Sequence, residues 1–287
     1  MFLISQANMA ASSFYSGNAL KNMSQFSVMA ALFYFYNGTF SFVDYFLGLA
    51  GFLLAYNFIY ALNDVMNYEK DAASRDKRLF KKNSMKSPLH TGSLTKGELL
   101  LRSSVMMLIG LAICYTVSPV FLFVVSLAIA ANFLHSSGLI GIDRMMPLMA
   151  ANFMFMQVMK FGSVWFTQTD LFDYRLVLPT IYMSVLYTML YLGYKVGLTK
   201  KLAVNKKSLS AMIGLILVPL VAMLYQPEVL PVFAMNLVTT VAIFLAIVKI
   251  WGGQKGLKLH GVFMLGFYLN MAILVSVLAA YGYMIHV

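Results

Sequence analysis

The sequence predicts an all-α, polytopic membrane protein with about nine transmembrane helices. A composition of 61% hydrophobic and 11% charged residues cannot form a water-soluble surface around a single core. Apolar runs also recur along the chain, each near the ~20 residues that a helix needs to cross ~30 Å of hydrocarbon. Because these runs are continuously apolar rather than alternating, they predict helices and exclude a closed β-barrel.

Turn signals separate several of the nine runs. Asn37-Gly38 lies between the first two, and Ser118-Pro119 predicts a tight connection between the third and fourth. Pro219 is expected to kink the seventh. The runs cover residues 25–40, 42–65, 99–117, 119–133, 145–167, 176–194, 209–225, 229–251 and 261–285.

Residues 1–24 precede the first run and are expected to form an amphipathic N-terminal lead-in to a transmembrane domain at 25–287. They contain no basic segment ahead of an apolar stretch and no small-residue cleavage pattern, so they do not resemble a signal peptide.

The 21 basic residues predict the orientation of the chain, because Lys and Arg near membrane ends resist translocation. Nearly all of them lie in or beside the links between runs two and three, four and five, six and seven, and eight and nine. The opposite links hold Asp170, Asp173, Arg175 and Glu228. We therefore expect a multi-pass protein of the cell membrane with a cytoplasmic N-terminus and an external C-terminus. We attribute the net charge of +11 to this topology and to contact with anionic headgroups or an anionic substrate. Nucleic-acid binding is not expected, since the sequence contains no soluble basic domain.

The end of the second run carries the clearest candidate for chemistry. Asn57, Asp64 and Asp71 are spaced by seven residues and share one helical face, while Asn63, Asn67 and Asp71 stack beside them at i, i+4 and i+8. Carboxylate and amide oxygens at a membrane boundary suit Mg²⁺, which also uses water and substrate phosphates as ligands. The alternative interpretation is a solvated helix end.

This stretch resembles the first acidic motif of the UbiA-type intramembrane prenyltransferases, Asn-Asp-x-x-Asp-x-x-x-Asp, followed by a basic segment and Arg-Pro-Leu-x-x-Gly. Here Asn63, Asp64, Asn67 and Asp71 occupy the motif, and residues 87–94 read SPLHTGSL. Asn67 stands where the family has its middle Asp, and Ser87 replaces the Arg. The segments 134–137, around Asn152, and 195–204 are similar to further family motifs in the same order.

The resemblance implies a UbiA-like helical bundle that transfers a prenyl group from a polyprenyl diphosphate to an aromatic or quinone-type, lipid-soluble acceptor. By the resemblance, the diphosphate is held through Mg²⁺ and basic side chains. The residues expected to act in catalysis and metal binding are Asp64, Asn67 and Asp71. The residues expected to contact substrate are Asn63, Arg75, Arg78, Lys86, Lys160, Lys195, Lys200 and Lys201. Lys160 lies in the middle of the fifth run, where an ionisable residue suggests function, although a structural hydrogen bond is the alternative.

The family's second acidic motif, expected just before Lys195, is absent, because no Asp or Glu occurs between Asp173 and Glu228. Asp64 and Asp71 are therefore expected to hold one Mg²⁺ at most. Three hypotheses remain open. The first is an active, divergent prenyltransferase in which lysines replace the second metal. The second is a non-catalytic subunit of a membrane complex that binds lipid or quinone. The third is a transporter or scaffold that shares only the topology.

Overall fold

The computed structural model describes residues 16–72, 88–89, 92–136, 146–199, 217–251 and 257–287. Within these ranges the chain is helical and contains no β-strand, which confirms the predicted all-α class. The helices are α1 (Ser16–Asn37), α2 (Phe42–Ala72), α3 (Lys96–Val117), α4 (Pro119–Ser136), α5 (Met146–Trp165), α6 (Val177–Thr199), α7 (217–222), α8 (Leu230–Trp251) and α9 (Leu257–His286).

The helices follow the nine predicted runs in order. Four segments in the described residues are long and apolar enough to cross a membrane, namely Phe42–Glu69, Lys96–Val117, Pro119–Ser136 and Gly266–His286. The protein is therefore a membrane protein. α1 begins at Ser16, so the described part of the N-terminal lead-in is already helical. The division into a lead-in and a transmembrane domain stays a prediction.

The turn signals act as the sequence predicts. Gly38 adopts φ 67°, a left-handed conformation that suits glycine, and its N–H donates to Tyr34 O at 2.8 Å to end α1. Ser118 is buried and its Oγ accepts from the Phe121 N–H at 3.0 Å, so it caps α4 directly after α3 ends. The short connection makes α3 and α4 neighbours.

The chain forms two compact units, the first comprising Met1–Met23 and Val43–Asn152 and the second Ser24–Phe42 and Phe153–Val287. In the first unit, α2 and α3 cross closely at small residues. A Cβ atom added to Gly110 would lie 2.4 Å from Ala55 N and 2.5 Å from Gly51 O, and one added to Gly51 would lie 3.0 Å from Cys114 Sγ. Small residues four apart on both helices permit this backbone approach, which dispersion forces then stabilise.

In the second unit, α1 runs parallel to α5. Gln25 Nε2 donates to Gln157 Oε1 at 2.9 Å, and eight residues further along both helices the rings of Phe33 and Trp165 lie 4.8 Å apart. At the far end of α1, the ring of His286 on α9 packs over Gly38.

A buried polar network joins α6, α8 and α9 in the same unit. Tyr182 Oη donates to Asn236 Oδ1 at 3.1 Å, and Asn236 Nδ2 donates to Asn270 Oδ1 at 3.1 Å. Thr239 Oγ1 donates to the same Asn270 oxygen at 3.1 Å. Such bonds hold helices together where lipid cannot hydrate the polar groups.

Candidate functional site

The candidate site of the first unit lies on the C-terminal third of α2. One side of this segment is covered, because Leu89 and Leu94 form a buried cluster with Ala61 and Leu99, against which Val65 and Tyr68 pack. Leu89 and Leu94 belong to the SPLHTGSL segment. The segment that resembles the family's Arg-Pro-Leu-x-x-Gly motif thus serves here as a cover for the apolar side of α2.

The turn within this segment is held by its own backbone. Ser93 N and Oγ each donate to Pro88 O at 3.0 Å, and Gly92 has φ 70°. Thr95 and Glu98 then form a capping box at the start of α3, since the Glu98 N–H donates to Thr95 Oγ1 and the Thr95 N–H donates to Glu98 Oε2. These bonds fix where the segment meets α3.

The polar face of α2 lies on another side of the helix. Asn63 is exposed, whereas Asp64 and Asn67 are partly exposed. Asn67 Nδ2 donates to Asn63 O at 2.8 Å and to Asn63 Oδ1 at 3.0 Å. Both bonds use the nitrogen of the Asn67 amide, so its oxygen takes no part in the contact with Asn63.

Glu69 and Asp64 lie on opposite flanks of the covered side of α2. Being five residues after Asp64, it is rotated about 140° away around the helix. Its carboxylate pairs with Lys96 Nζ at 2.8 Å, and Lys96 Nζ also lies 5.3 Å from the centre of the Tyr68 ring. Glu69 therefore joins the last turns of α2 to the start of α3 and does not share the face of Asp64.

The polar face continues inwards as a row of side chains that sequence reasoning missed. Tyr56, Tyr60, Asn63 and Asn67 are spaced by four, three and four residues and fall within about 60° around α2. The rings of Tyr56 and Tyr60 lie 5.5 Å apart, and that of Tyr56 stacks on Phe52 at 5.2 Å. The spacing was visible in the sequence, but it resembled ordinary core packing.

Amide groups on other helices contact this row. Asn132 on α4 donates from Nδ2 to Tyr56 Oη, and Asn22 on α1 donates to Tyr60 Oη at 3.3 Å. Asn152, at the start of α5, donates to Ala131 O at 3.3 Å. Two uncharged amide groups, of Asn132 and Asn22, thus contact the inner end of the polar face.

The described oxygen atoms of the polar face suit one hard cation. Asp64 supplies a carboxylate and Asn67 an amide oxygen, both of which Mg²⁺ accepts when water and phosphate complete its shell. In the part of the chain that the structure describes, no three His, Cys, Asp or Glu residues lie close enough together to hold a metal. Asp71 lies in the last turn of α2, but its side chain is outside the described residues.

The predicted basic residues fall in different places. Lys160 is 3% exposed on α5 in the second unit, one turn after the Gln25–Gln157 pair, and its carbonyl accepts from Ser163 Oγ at 2.8 Å. Lys195 lies on α6, with its side chain outside the described residues. Arg75, Arg78, Lys86, Lys200 and Lys201 also lie outside them. Their roles as substrate contacts stay predictions.

Comparison with known proteins finds one matching family model. Residues 24–151 match the UbiA prenyltransferase family, and they include the whole polar face and its cover. No curated protein matches the chain.

Two solved structures are similar to the chain over most of its length. One is a UbiA homolog from Archaeoglobus fulgidus bound to GPP and Mg²⁺, with 13% identity, a TM-score of 0.49, and coverage of 92% of this chain and 95% of that one. The other is a UbiA homolog from the same organism bound to DMAPP and Mg²⁺, with 12% identity, a TM-score of 0.46 and the same coverage.

Proposed function

Because residues 24–151 match the UbiA prenyltransferase family, we propose that the chain transfers a prenyl group from a polyprenyl diphosphate to a lipid-soluble acceptor of aromatic or quinone type. The observation that carries this proposal is the polar face at the membrane-boundary end of α2. Asn63 there is exposed and Asp64 and Asn67 are partly exposed, within a region that buries its apolar side. The reaction takes place in the cell membrane, and the site faces the cytoplasm.

In the reaction, the bond between the allylic carbon and the diphosphate oxygen breaks, and diphosphate leaves with the electron pair. An electron pair of the acceptor forms the new bond to the prenyl carbon, and the acceptor then releases a proton. Catalysis depends on stabilising the negative charge that grows on the leaving group. The prenyl tail requires an apolar environment, which the membrane helices provide.

Asp64, Asn67 and Asp71 would hold a single Mg²⁺, which when bound neutralises charge on the diphosphate. Asn63 orients Asn67 through two hydrogen bonds and remains exposed at the mouth of the site. We assign Arg75, Arg78 and Lys86 to the diphosphate from the cytoplasmic side, together with Lys195, Lys200 and Lys201 in place of a second metal. Lys160 is assigned to substrate within the membrane.

Diphosphate release tests the proposal directly. The purified protein is incubated with Mg²⁺, a labelled polyprenyl diphosphate and a panel of lipid-soluble acceptors, beside the Asp64→Ala, Asp71→Ala double variant. We expect labelled product from the natural protein and a loss of at least tenfold in the variant. Asp170→Ala, which removes an exposed carboxylate from the second unit, is the matched control and keeps the activity.

A second function, that of a non-catalytic subunit that binds lipid or quinone in a membrane complex, is favoured by one observation. No Asp or Glu occurs between Asp173 and Glu228, so a second metal has no carboxylate ligands near Lys195. A natural protein that releases no diphosphate with any acceptor, yet purifies with a partner and a bound lipid, would replace the first function with this one. An isolated monomer without lipid would contradict it.

A further inference from the structure

The connection between α5 and α6 exposes large apolar side chains at one end of the second unit. Leu171, Phe172 and Tyr174 are 77%, 67% and 73% exposed. They lie within four positions of one another in this connection, and Tyr174 begins a short 3-10 turn, Tyr174–Leu176, that leads into α6. A water-exposed loop rarely carries three such side chains together, because each keeps apolar area in contact with water.

Hydrogen bonds and a charge pair hold this loop against its own unit. Gln168 accepts from the Ser41 N–H at 2.7 Å and donates to Ser41 O at 3.1 Å. Arg175 contacts Asp173 with Nη2 to Oδ2 at 2.6 Å, and its guanidinium lies 4.8 Å from the centre of the Tyr36 ring. The side chains of Gln168, Asp173 and Arg175 are thus engaged within the unit, whereas Asp170 and the three apolar side chains are exposed.

The next connection on the same side extends the exposed surface. Gln226 Nε2 donates to Arg175 O at 3.4 Å, which brings residues 223–229 beside the first loop. Leu224 and Tyr225 there are 63% and 90% exposed. We call the five side chains Leu171, Phe172, Tyr174, Leu224 and Tyr225 the aromatic rim.

The aromatic rim is continuous in sequence with further exposed apolar side chains. On the short helix α7, Val218 and Val221 are 67% and 60% exposed, and Leu224 follows at the same three-residue spacing. The rim therefore begins where an apolar, outward helical face ends. Tyrosine and phenylalanine side chains accumulate at this depth in membrane proteins, because their rings are apolar and the tyrosine hydroxyl reaches water.

We propose that the aromatic rim is inserted into the boundary between headgroups and acyl chains, so that the α5–α6 loop is an interfacial membrane anchor rather than an aqueous loop. The lipid it fits is zwitterionic. The two connections carry three carboxylates, of Asp170, Asp173 and Glu228, and one guanidinium that is paired with Asp173. This charge gives no attraction to anionic headgroups, so burial of apolar area is the driving force.

Spin labels at single cysteines measure the depth of the rim. Phe172→Cys and Tyr174→Cys are introduced separately in a Cys114→Ala background, since Cys114 is the only cysteine. The labelled proteins are reconstituted in phosphatidylcholine vesicles, and relaxation by oxygen is compared with relaxation by a water-soluble nickel chelate. Gly97→Cys is the aqueous control, because Gly97 is exposed at the polar start of α3 with no atom within 4 Å of an added Cβ.

We expect labels at 172 and 174 to be relaxed mainly by oxygen and the label at 97 mainly by nickel. Equal nickel access at 172 and 97 would overturn the proposal in favour of an aqueous loop. Poor access of both reagents to 172 would overturn it in favour of a protein contact. Replacing a third of the lipid by phosphatidylglycerol should leave the depth unchanged, and insertion that required the anionic lipid would contradict the assigned driving force.

Discussion

The close crossing of α2 and α3 predicts a large effect from the smallest possible substitution, Gly110→Ala. The added Cβ would lie 2.4 Å from Ala55 N and 2.5 Å from Gly51 O, both of which are backbone atoms that no side-chain rotation can move. Ordinary van der Waals contact begins near 3.4 Å, so the two helices must separate by about 1 Å. Overpacking of this kind costs about 1–3 kcal/mol.

Thermal unfolding in detergent, followed by intrinsic fluorescence, measures this cost. We expect Gly110→Ala to lower the unfolding temperature by several degrees. Gly162→Ala is the matched control, because Gly162 lies within helix α5 and an added Cβ meets no atom within 4 Å. That variant should be neutral or slightly stabilised, since alanine favours helix over glycine. Equal unfolding temperatures for the two variants would refute the close crossing.

Three further substitutions test the polar contacts. Asn270→Leu removes the acceptor of the buried Asn236 amide and should lower the free energy of unfolding by about 1–3 kcal/mol, and an unchanged chemical denaturation midpoint would contradict the network. Partial burial raises the pKa of Asp173, but the hydrogen bonds from Arg175 lower it more, so its net pKa lies below the usual value. Its stabilisation is then present above about pH 4 and is lost as the pH falls below that value, and Asp173→Asn should flatten that part of the stability profile. Without Mg²⁺, the Asn67→Asp variant should unfold at a lower temperature than the natural protein. Addition of Mg²⁺ should raise the unfolding temperature of the variant more than that of the natural protein, and an equal rise in both would argue against a metal at this face.

The helices were largely predictable, because a segment that crosses a membrane must be apolar in composition and long enough to span the hydrocarbon. The second, third and fourth runs coincide closely with α2, α3 and α4, and the turns at Gly38 and Ser118 lie where the sequence placed them. The first run marks only the apolar part of α1, since hydropathy reports where a chain enters lipid. A helix continues beyond that point as long as its backbone hydrogen bonds close, and α1 therefore begins at Ser16.

The partners of the polar side chains were not predictable. Spacing along α2 places Asp64 and Asn67 on one face, but it does not say that Asn132 on α4 contacts Tyr56 or that Lys96 pairs with Glu69. These contacts depend on which helix lies beside which, and a uniformly apolar helix surface encodes little of that. The SPLHTGSL segment illustrates the limit, because its resemblance to a family motif did not indicate that Leu89 and Leu94 cover the apolar side of α2.

Asn67 links the structure of the polar face to the question of metal binding. A carboxylate at this position would face the carbonyl and side-chain oxygens of Asn63, and without a cation these acceptors would repel one another. The amide instead donates to both oxygens, at 2.8 and 3.0 Å, so this part of the helix end is stable without a metal. With Asn in place of Asp, the polar face carries one negative charge fewer than the acidic motif it resembles. Its affinity for Mg²⁺ is therefore lower, and binding of a diphosphate depends more on lysine and arginine. An active enzyme of this kind should therefore bind its diphosphate with a strong dependence on ionic strength and a shallow dependence on Mg²⁺, whereas a subunit that only binds lipid should respond to neither.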